Sequence, residues 1–396
     1  MKIIYYSPHP THDIVSEVGY ATHQREVINA LKELGNTVIP VIMGGTEKVN
    51  LSLAGVPTNN NSIKSKIKKL IPQFIWTSLK DYKLMLHDKK AANALEKVII
   101  EHQPDLVYER SEYLQDKGLS VIKKYNLKYF LEINAPFIEE MKGFEGLSIW
   151  HKLAHKKEKK KIQQADKIFV VSSPLKKFII DQYGAKEEKI IIQPNCINLK
   201  NVNIDEILVE QLKQQYQLFG KYVIGFVGSI FPHHGVDILI DSFEIIYFKI
   251  PNAKLLIVGD GSIVNTLKLK IKDKPFAHDI IFTGKVPHHK VYSYISLMDV
   301  CTLAKTAWYC SPIKIFEYAI LSKPIISPNI ESIRDVMDDG VHGLLIEINK
   351  NDLADAIIKL YTDFDLTPSM ANNFKNLVIE NYTWQKAAKH IIAACV

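Results

Sequence analysis

The sequence predicts an α/β fold made of two successive doubly wound domains, and three observations predict it. Short β-branched runs bounded by turn residues recur in two series along the chain. Patterns of helical period separate the runs, so the strands are joined by crossovers and pair in parallel, with helices on both faces of each sheet. A polar stretch, Asn195–Asn203, stands between the two series as a linker. The length of 396 residues agrees, because it exceeds what one hydrophobic core usually organises.

In chain order, the first series comprises Lys2–Tyr6, Thr37–Met43, Asp105–Tyr108, Lys128–Ile133, Lys167–Val171 and Lys189–Gln193. Between its first two runs, Thr22–Leu34 carries Val27, Leu31 and Leu34 on one side, which is helical spacing. The second series comprises Tyr222–Val227, Lys254–Val258, Ile280–Thr283, Val300–Leu303, Pro324–Ser327 and Gly343–Ile346, followed by a helix over Asp352–Tyr361 with Leu353, Ile357 and Leu360 aligned. No internal repeat of solenoid length and no low-complexity tail interrupts the pattern.

Composition narrows the function classes. The four cysteines, Cys196, Cys301, Cys310 and Cys395, form no C-x-x-C pair, which favours a reducing, cytoplasmic setting over a disulfide scaffold. The start of the chain is broken by Pro8 too early for a signal peptide, and no apolar run reaches the ~18–20 residues of a membrane span. Of the 50 Lys and Arg, 31 fall in residues 1–200, against 22 of the 43 Asp and Glu, so the first half is basic. Its cations gather at Lys64, Lys66, Lys68 and Lys69 and again over Lys152–Lys161, interleaved with Ile63, Ile67, Leu70 and Ile71 or with Trp150, Leu153 and Ile162. Such helices suit peripheral contact with an anionic membrane; a solvated helix face is the plainer explanation. Nucleic acid is not expected as a partner, since no recognisable binding module accompanies the charge.

The segment Cys310-Ser311-Pro312-Ile313-Lys314-Ile315-Phe316-Glu317-Tyr318 carries the most chemistry. Ser311 is placed to cap a helix that Pro312 begins. Lys314 then lies in the first turn, where the positive end of the helix dipole costs a cation roughly 0.3–1 kcal/mol unless an anion joins it. A phosphate is the natural anion. Glu317, one turn deeper on the same face, could accept hydrogen bonds from sugar hydroxyls. Phosphate plus ribose points to a nucleotide, while an amphipathic helix with Lys314 and Glu317 as a solvated pair accounts for the segment equally. In open α/β domains ligands lie outside the carboxyl ends of the strands, and the loop Gly228-Ser229-Ile230-Phe231-Pro232-His233-His234-Gly235 holds such a position as well.

These residues resemble the nucleotide-sugar site of glycosyltransferase family 4, in an S-P-x-K-x-F-E-Y variant completed by Lys323-Pro324. Further pieces fall in the family's order: Gly19-Tyr20-Ala21-Thr22-His23 with Glu26; Pro104–Arg110; Leu131–Pro136; Ala165–Ser172; and Pro194-Asn195. Gly228-Ser229, His234-Gly235-Val236-Asp237, Val258-Gly259-Asp260-Gly261, Gly284-Lys285-Val286-Pro287, Asp299-Val300, Asp339-Gly340 and Gly343-Leu344 continue it.

The resemblance implies a GT-B architecture, two Rossmann-like domains facing an interdomain cleft. It puts an acceptor-binding domain at residues 1–200, joined by a returning helix at 382–396, and a nucleotide-sugar-binding domain at 201–381. It also implies a retaining, metal-independent hexosyltransferase that uses no cofactor. The sugar would move from a UDP- or GDP-type donor to a glycan or lipid-linked acceptor, in cell-envelope polysaccharide or glycolipid synthesis. Lys314 and the backbone amides of Gly228 and Ser229 would meet the leaving diphosphate, and Glu317 would hold ribose. His23, Glu132 and Asn134 would serve the acceptor or the transferred sugar, the last two pointing to the same side of one strand. Arg110 would contact a phosphate or pair with Glu132. Gly19, His234, Gly259, Lys285, Val286, Tyr309, Ser311, Pro312 and Ile313 would complete the donor site. The sequence departs from the commonest family pattern at Tyr309, where a second glutamate is usual, and at Ser229 and His234, where a basic pair is usual. A nucleotide-sugar epimerase or hydrolase, or a non-catalytic partner subunit, would use the same scaffold.

Two other patterns carry little. Asp363-Phe364-Asp365 has the D-x-D spacing of metal-dependent transferases, but it lies in a polar stretch near the C-terminus. His9 and His12 with Asp13 could ligate zinc, and a polar loop after the first strand explains them without it.

Overall fold

The computed structural model describes residues 1–44, 72–144, 146, 148–363 and 366–395. They form two compact units, one comprising Met1–Pro194 with Trp384–Val396 and the other Asn195–Thr383. Each unit is an α/β layer structure around a parallel six-stranded sheet.

The first sheet contains β1 (Lys2–Ser7), β2 (Thr37–Ile42), β3 (Leu106–Arg110), β4 (Lys128–Ile133), β5 (Lys167–Val170) and β6 (Ile190–Ile192) in the order β2-β1-β3-β4-β5-β6. Every residue of β3, and all but the first of β1 and β4, is buried, as expected of strands covered on both faces. The β3–β4 register sets Arg110 directly beside Glu132 at the carboxyl edge. The strand order reverses between β1 and β3, so the loops after those strands open a crevice.

The second sheet contains β7 (Tyr222–Val227), β8 (Ala253–Val258), β9 (Ile280–Phe282), β10 (Val300–Thr302), β11 (Ile325–Pro328) and β12 (Leu344–Ile346). Its order, β12-β11-β10-β7-β8-β9, reverses between β7 and β10. The loops after these two strands carry Gly228–Gly235 and the approach to Lys314. All the strands expected from sequence are present, with ends shifted by one or two residues.

The helix Trp384–Ala393 belongs to the first unit. It packs on the helix Gly19–Glu33, where Trp384 meets His23 edge-on at 4.8 Å and Gln385 donates to Glu33 at 3.1 Å. Among the described residues no helix is long and apolar enough to cross a membrane.

The basic run Lys152–Lys161 is a helix, His151–Gln164, but its apolar side is not free for lipid. Ala154 and Ile162 are buried, and Trp150 and Leu153 pack against Leu84 and Leu114. Lys161 is buried on Glu109 at 3.2 Å, and Lys157 pairs with Asp116 at 2.7 Å. The first basic cluster, Lys64–Lys69, lies outside the described residues, as do Phe364 and Asp365 of the D-x-D pattern.

Candidate functional site

In the second unit the helix Ile313–Ile320 begins after β10, at the reversal of strand order. Pro312 is its N-cap and no side chain caps it. The Ser311 hydroxyl instead accepts the Asn195 N–H at 3.0 Å, so the expected serine cap is replaced by a tie to the segment after β6. Lys314 stays in the first turn. Its stem keeps some exposure, but its Nζ is buried and has no hydrogen-bond partner. The ammonium lies 4.1 Å from the centre of the Phe226 ring, a cation–π contact that offsets part of its lost hydration. Burial lowers its pKa to about 8, with Cys310 and Glu317 pulling the other way.

Gly228 makes room for that nitrogen. It has φ +136°, and a Cβ there would stand 2.7 Å from Lys314 Nζ. Gly259 likewise has φ +138°, and a Cβ on it would collide with the Gly228 carbonyl at 1.9 Å. The glycines of Val258-Gly259-Asp260-Gly261 therefore serve backbone-to-backbone packing of the loops after β7 and β8. The Gly228 N–H is not free for a phosphate, because it donates to the Val258 carbonyl at 2.9 Å. That corrects the expectation for the Gly228 amide.

His234 approaches the same cation. Its Nδ1 donates to the Ser229 carbonyl at 2.5 Å, and burial, then Lys314, lowers its pKa to about 3. Without an anion it is neutral, so it does not duplicate the basic residue usual there. Glu317 is buried at 8% exposure, with His288 Nε2 at 3.4 Å from its Oε1. Lys285 is exposed, Val286 and Tyr309 are half-buried, and exposed Trp308 meets Tyr309 edge-on at 5.2 Å. Lys323 donates to the carbonyls of Ser296 and Met298, a structural tie.

In the first unit Glu132 is the centre of a filled network. Its carboxylate accepts from Tyr108 at 2.8 Å, Arg110 at 2.8 Å and Asn134 at 2.5 Å, and His23 Nε2 stands 3.0 Å away. Burial opposes its charge, but His23, Arg110 and Asn134 outweigh that and hold its pKa at about 2. A small cavity lies here, lined among others by His23, Glu132, Asn134, Gln193 and Trp384. Arg110 thus has the structural ion pair as its partner. Gly19 opens the helix that carries His23.

The loop after β1 shows why His9 and His12 stand together. His12 Nδ1 is 2.7 Å from Glu112, and His9 Nδ1 accepts from the Thr11 N–H and hydroxyl. Asp13 is not the third member. It accepts from the Val15 and Ser16 N–H groups, and Glu112 takes its place near both histidines. The bonds are those of an ordered polar loop.

Sequence reasoning missed Phe226 under Lys314, Tyr108 on Glu132, and the contact of Trp384 with His23. Phe226 and Tyr108 sit close to the carboxyl ends of their strands, which is the signal that could have found them. Trp384 touches His23 across most of the chain, a pairing no local pattern announces.

Two family models cover most of the chain. Glycosyltransferase Family 4 matches residues 19–201, and Glycosyl transferases group 1 matches residues 221–363. An uncharacterized glycosyltransferase of Methanocaldococcus jannaschii is 25% identical over 235 residues, 57% of this chain and 57% of its own length. The capsular polysaccharide biosynthesis glycosyltransferase CapM of Staphylococcus aureus is 27% identical over 262 residues, 63% of this chain and 64% of its own. These alignments span less than two thirds of either relative. The crystal structure of Anabaena HepE in complex with UDP superposes with a TM-score of 0.72 at 16% identity, covering 99% of both chains, which establishes the fold. With two such sheets and these matches, the chain belongs to the GT-B glycosyltransferases of the family 4 and group 1 type.

Proposed function

We propose that the protein is a retaining, metal-independent glycosyltransferase. It would move a sugar from a UDP- or GDP-type donor to a glycan or lipid-linked acceptor in cell-envelope polysaccharide or glycolipid synthesis. The observation that carries this reading is Lys314 Nζ, buried and unpartnered in the crevice of the second sheet. A buried ammonium without a counter-ion is costly, and a diphosphate is the anion whose arrival would relieve it. The UDP complex of the similarly folded HepE supports a nucleotide donor.

In this reading Lys314 neutralises the diphosphate as the bond from the sugar's anomeric carbon to its oxygen breaks. The acceptor hydroxyl attacks from the same face and passes its proton to the departing phosphate oxygen. Glu317 holds the ribose. The His234 imidazole, neutral before binding, gains a proton more readily once the anion is present. On the acceptor side, the network around Glu132 fixes the His23 ring toward the cavity it lines, so the group is oriented before substrate arrives. The basic first unit favours placement at the inner face of the membrane.

The test is calorimetry with UDP and GDP on the wild-type chain and on Glu317→Ala. Binding by the wild type and its loss in the variant supports the assignment; equal affinity in both removes Glu317 from the site.

A further inference from the structure

The helix Ile313–Ile320, which carries Lys314 and Glu317, is not capped from within. Pro312 at its N-cap offers no side-chain acceptor, so the first-turn N–H groups gain nothing from it. The last turn is tied to the sheet, where the Tyr318 hydroxyl accepts the Val227 N–H at 2.8 Å, one residue before Gly228. The start is tied by Asn195. That residue donates twice to Ser311, from its backbone N–H to the hydroxyl at 3.0 Å and from its side-chain amide to the carbonyl at 2.5 Å. Two bonds from one residue set both the place and the direction of the chain entering the helix. Ser311 is 2% exposed, so these bonds are made away from water.

Asn195 is itself anchored. Two residues on, the Ile197 N–H donates to the Tyr382 carbonyl at 2.9 Å, and Ile197 pairs in parallel with Thr383. The Tyr382 ring in turn lies 5.2 Å from that of Phe316 on the helix. The segment that begins the second unit and the segment that ends it therefore frame one helix. Lys314 is the residue for which such framing matters most. Its Nζ is buried without a hydrogen-bond partner against the Phe226 ring, so the backbone beneath it decides where the ammonium stands. A shift of about 1 Å in a positioned group is enough to weaken what it does.

We propose that Asn195 is a positioning residue for Lys314: its two bonds to Ser311 hold the start of the helix so that the ammonium stands where a diphosphate can reach it. The inference rests on the nucleotide reading of this site and adds a residue that touches neither ligand nor cation. It also gives Pro194-Asn195, which the sequence marks only as the approach to a linker, a task of its own.

A double-mutant cycle read by calorimetry tests it, with UDP as the probe, or GDP where the wild type binds only that. Asn195→Ala should lower affinity about threefold to tenfold, the effect of lost neutral hydrogen bonds, while melting within about 4 °C of the wild type. In the Lys314→Met background the same substitution should change affinity less than about 1.5-fold, because the cation it positions is gone. A merely structural role would give the same loss in both backgrounds. Ser311→Ala, which removes only the hydroxyl acceptor, should follow the same pattern with a loss of about twofold to fivefold, and it carries the test if Asn195→Ala does not fold. No nucleotide binding by the wild type overturns the functional reading and this inference with it. Binding that is equal in wild type and Asn195→Ala, or a loss of the same size with and without Lys314, overturns this inference alone.

Discussion

Glu132 in the first unit and Lys314 in the second are both buried charges at the carboxyl end of a parallel sheet, and they have been treated in opposite ways. Glu132 is saturated: a phenol, a guanidinium and an amide donate to it, and an imidazole adjoins it. Its carboxyl is held at about 2, so the protein stabilises the charge. Lys314 has an aromatic ring below it and no hydrogen-bond partner, and its ammonium is pushed to about 8, so the protein destabilises the charge. A completed network stiffens its surroundings, whereas an incomplete one reserves a place for something that arrives. The first unit holds a completed polar network and the second a buried cation with no hydrogen-bond partner.

The largest effect that could break this contrast is on stability. Glu132→Ala takes from buried Arg110 its 2.8 Å partner and leaves it Glu112 at 3.8 Å, and removal of one member of a buried pair costs about 3–5 kcal/mol. The urea midpoint should fall accordingly, while affinity for UDP, a ligand that the proposed function assigns to the other unit, should change less than about twofold. The pH sign follows from the lowered carboxyl: stability from Glu132 is present above its ordinary range near 4.5 and is lost as pH falls toward 2. A Glu132→Ala protein that melts with the wild type would show the network to be decorative.

Lys314→Met should act the other way in both respects. Charge-assisted hydrogen bonds contribute about 1.5–3 kcal/mol, so UDP affinity should fall by about 10- to 100-fold in calorimetry. In the absence of nucleotide the same variant should be more stable than wild type. A lysine displaced from 10.5 to about 8 loses about 3 kcal/mol on folding, and the Phe226 contact returns part of it, leaving a gain of about 1–2 kcal/mol for methionine. A variant that loses both stability and nucleotide binding would make Lys314 a structural residue.

The two sites were not equally legible in the sequence. Periodicity located every strand, because runs such as Val223–Val227 are buried on both faces and carry no polar alternation to confuse them. The Lys314–Glu317 spacing was local, and one helical turn places both residues together. The Glu132 network was only half visible. Glu132 and Asn134 share a strand end, but Tyr108 and Arg110 join them through β3–β4 register, and His23 through the Trp384 contact, which are tertiary facts. Lys161 shows the same limit: in a run of lysines, nothing local marks the one that is buried on Glu109. The Gly228 amide was misjudged because its partner, the Val258 carbonyl, belongs to the neighbouring strand.

The subtlest way to sharpen the contrast is to follow protons. Free Lys314 titrates near 8, and a bound diphosphate raises that value by supplying the missing counter-charge. Nucleotide binding above pH 8 must then take up a proton, and affinity should weaken by up to about tenfold per pH unit as the empty site loses its charge. At pH near 6.5 the ammonium is already formed and contributes no uptake. His234, held at about 3 when the site is empty, can add uptake only below the pH to which the bound anion lifts it, so the two groups separate on the pH axis. Calorimetry at pH 9 in buffers of different ionisation enthalpy measures the uptake directly. It should approach one proton in the wild type and vanish in Lys314→Met. A wild-type value of zero would mean that the anion does not reach Lys314, and the unfinished charge would need another explanation than a nucleotide.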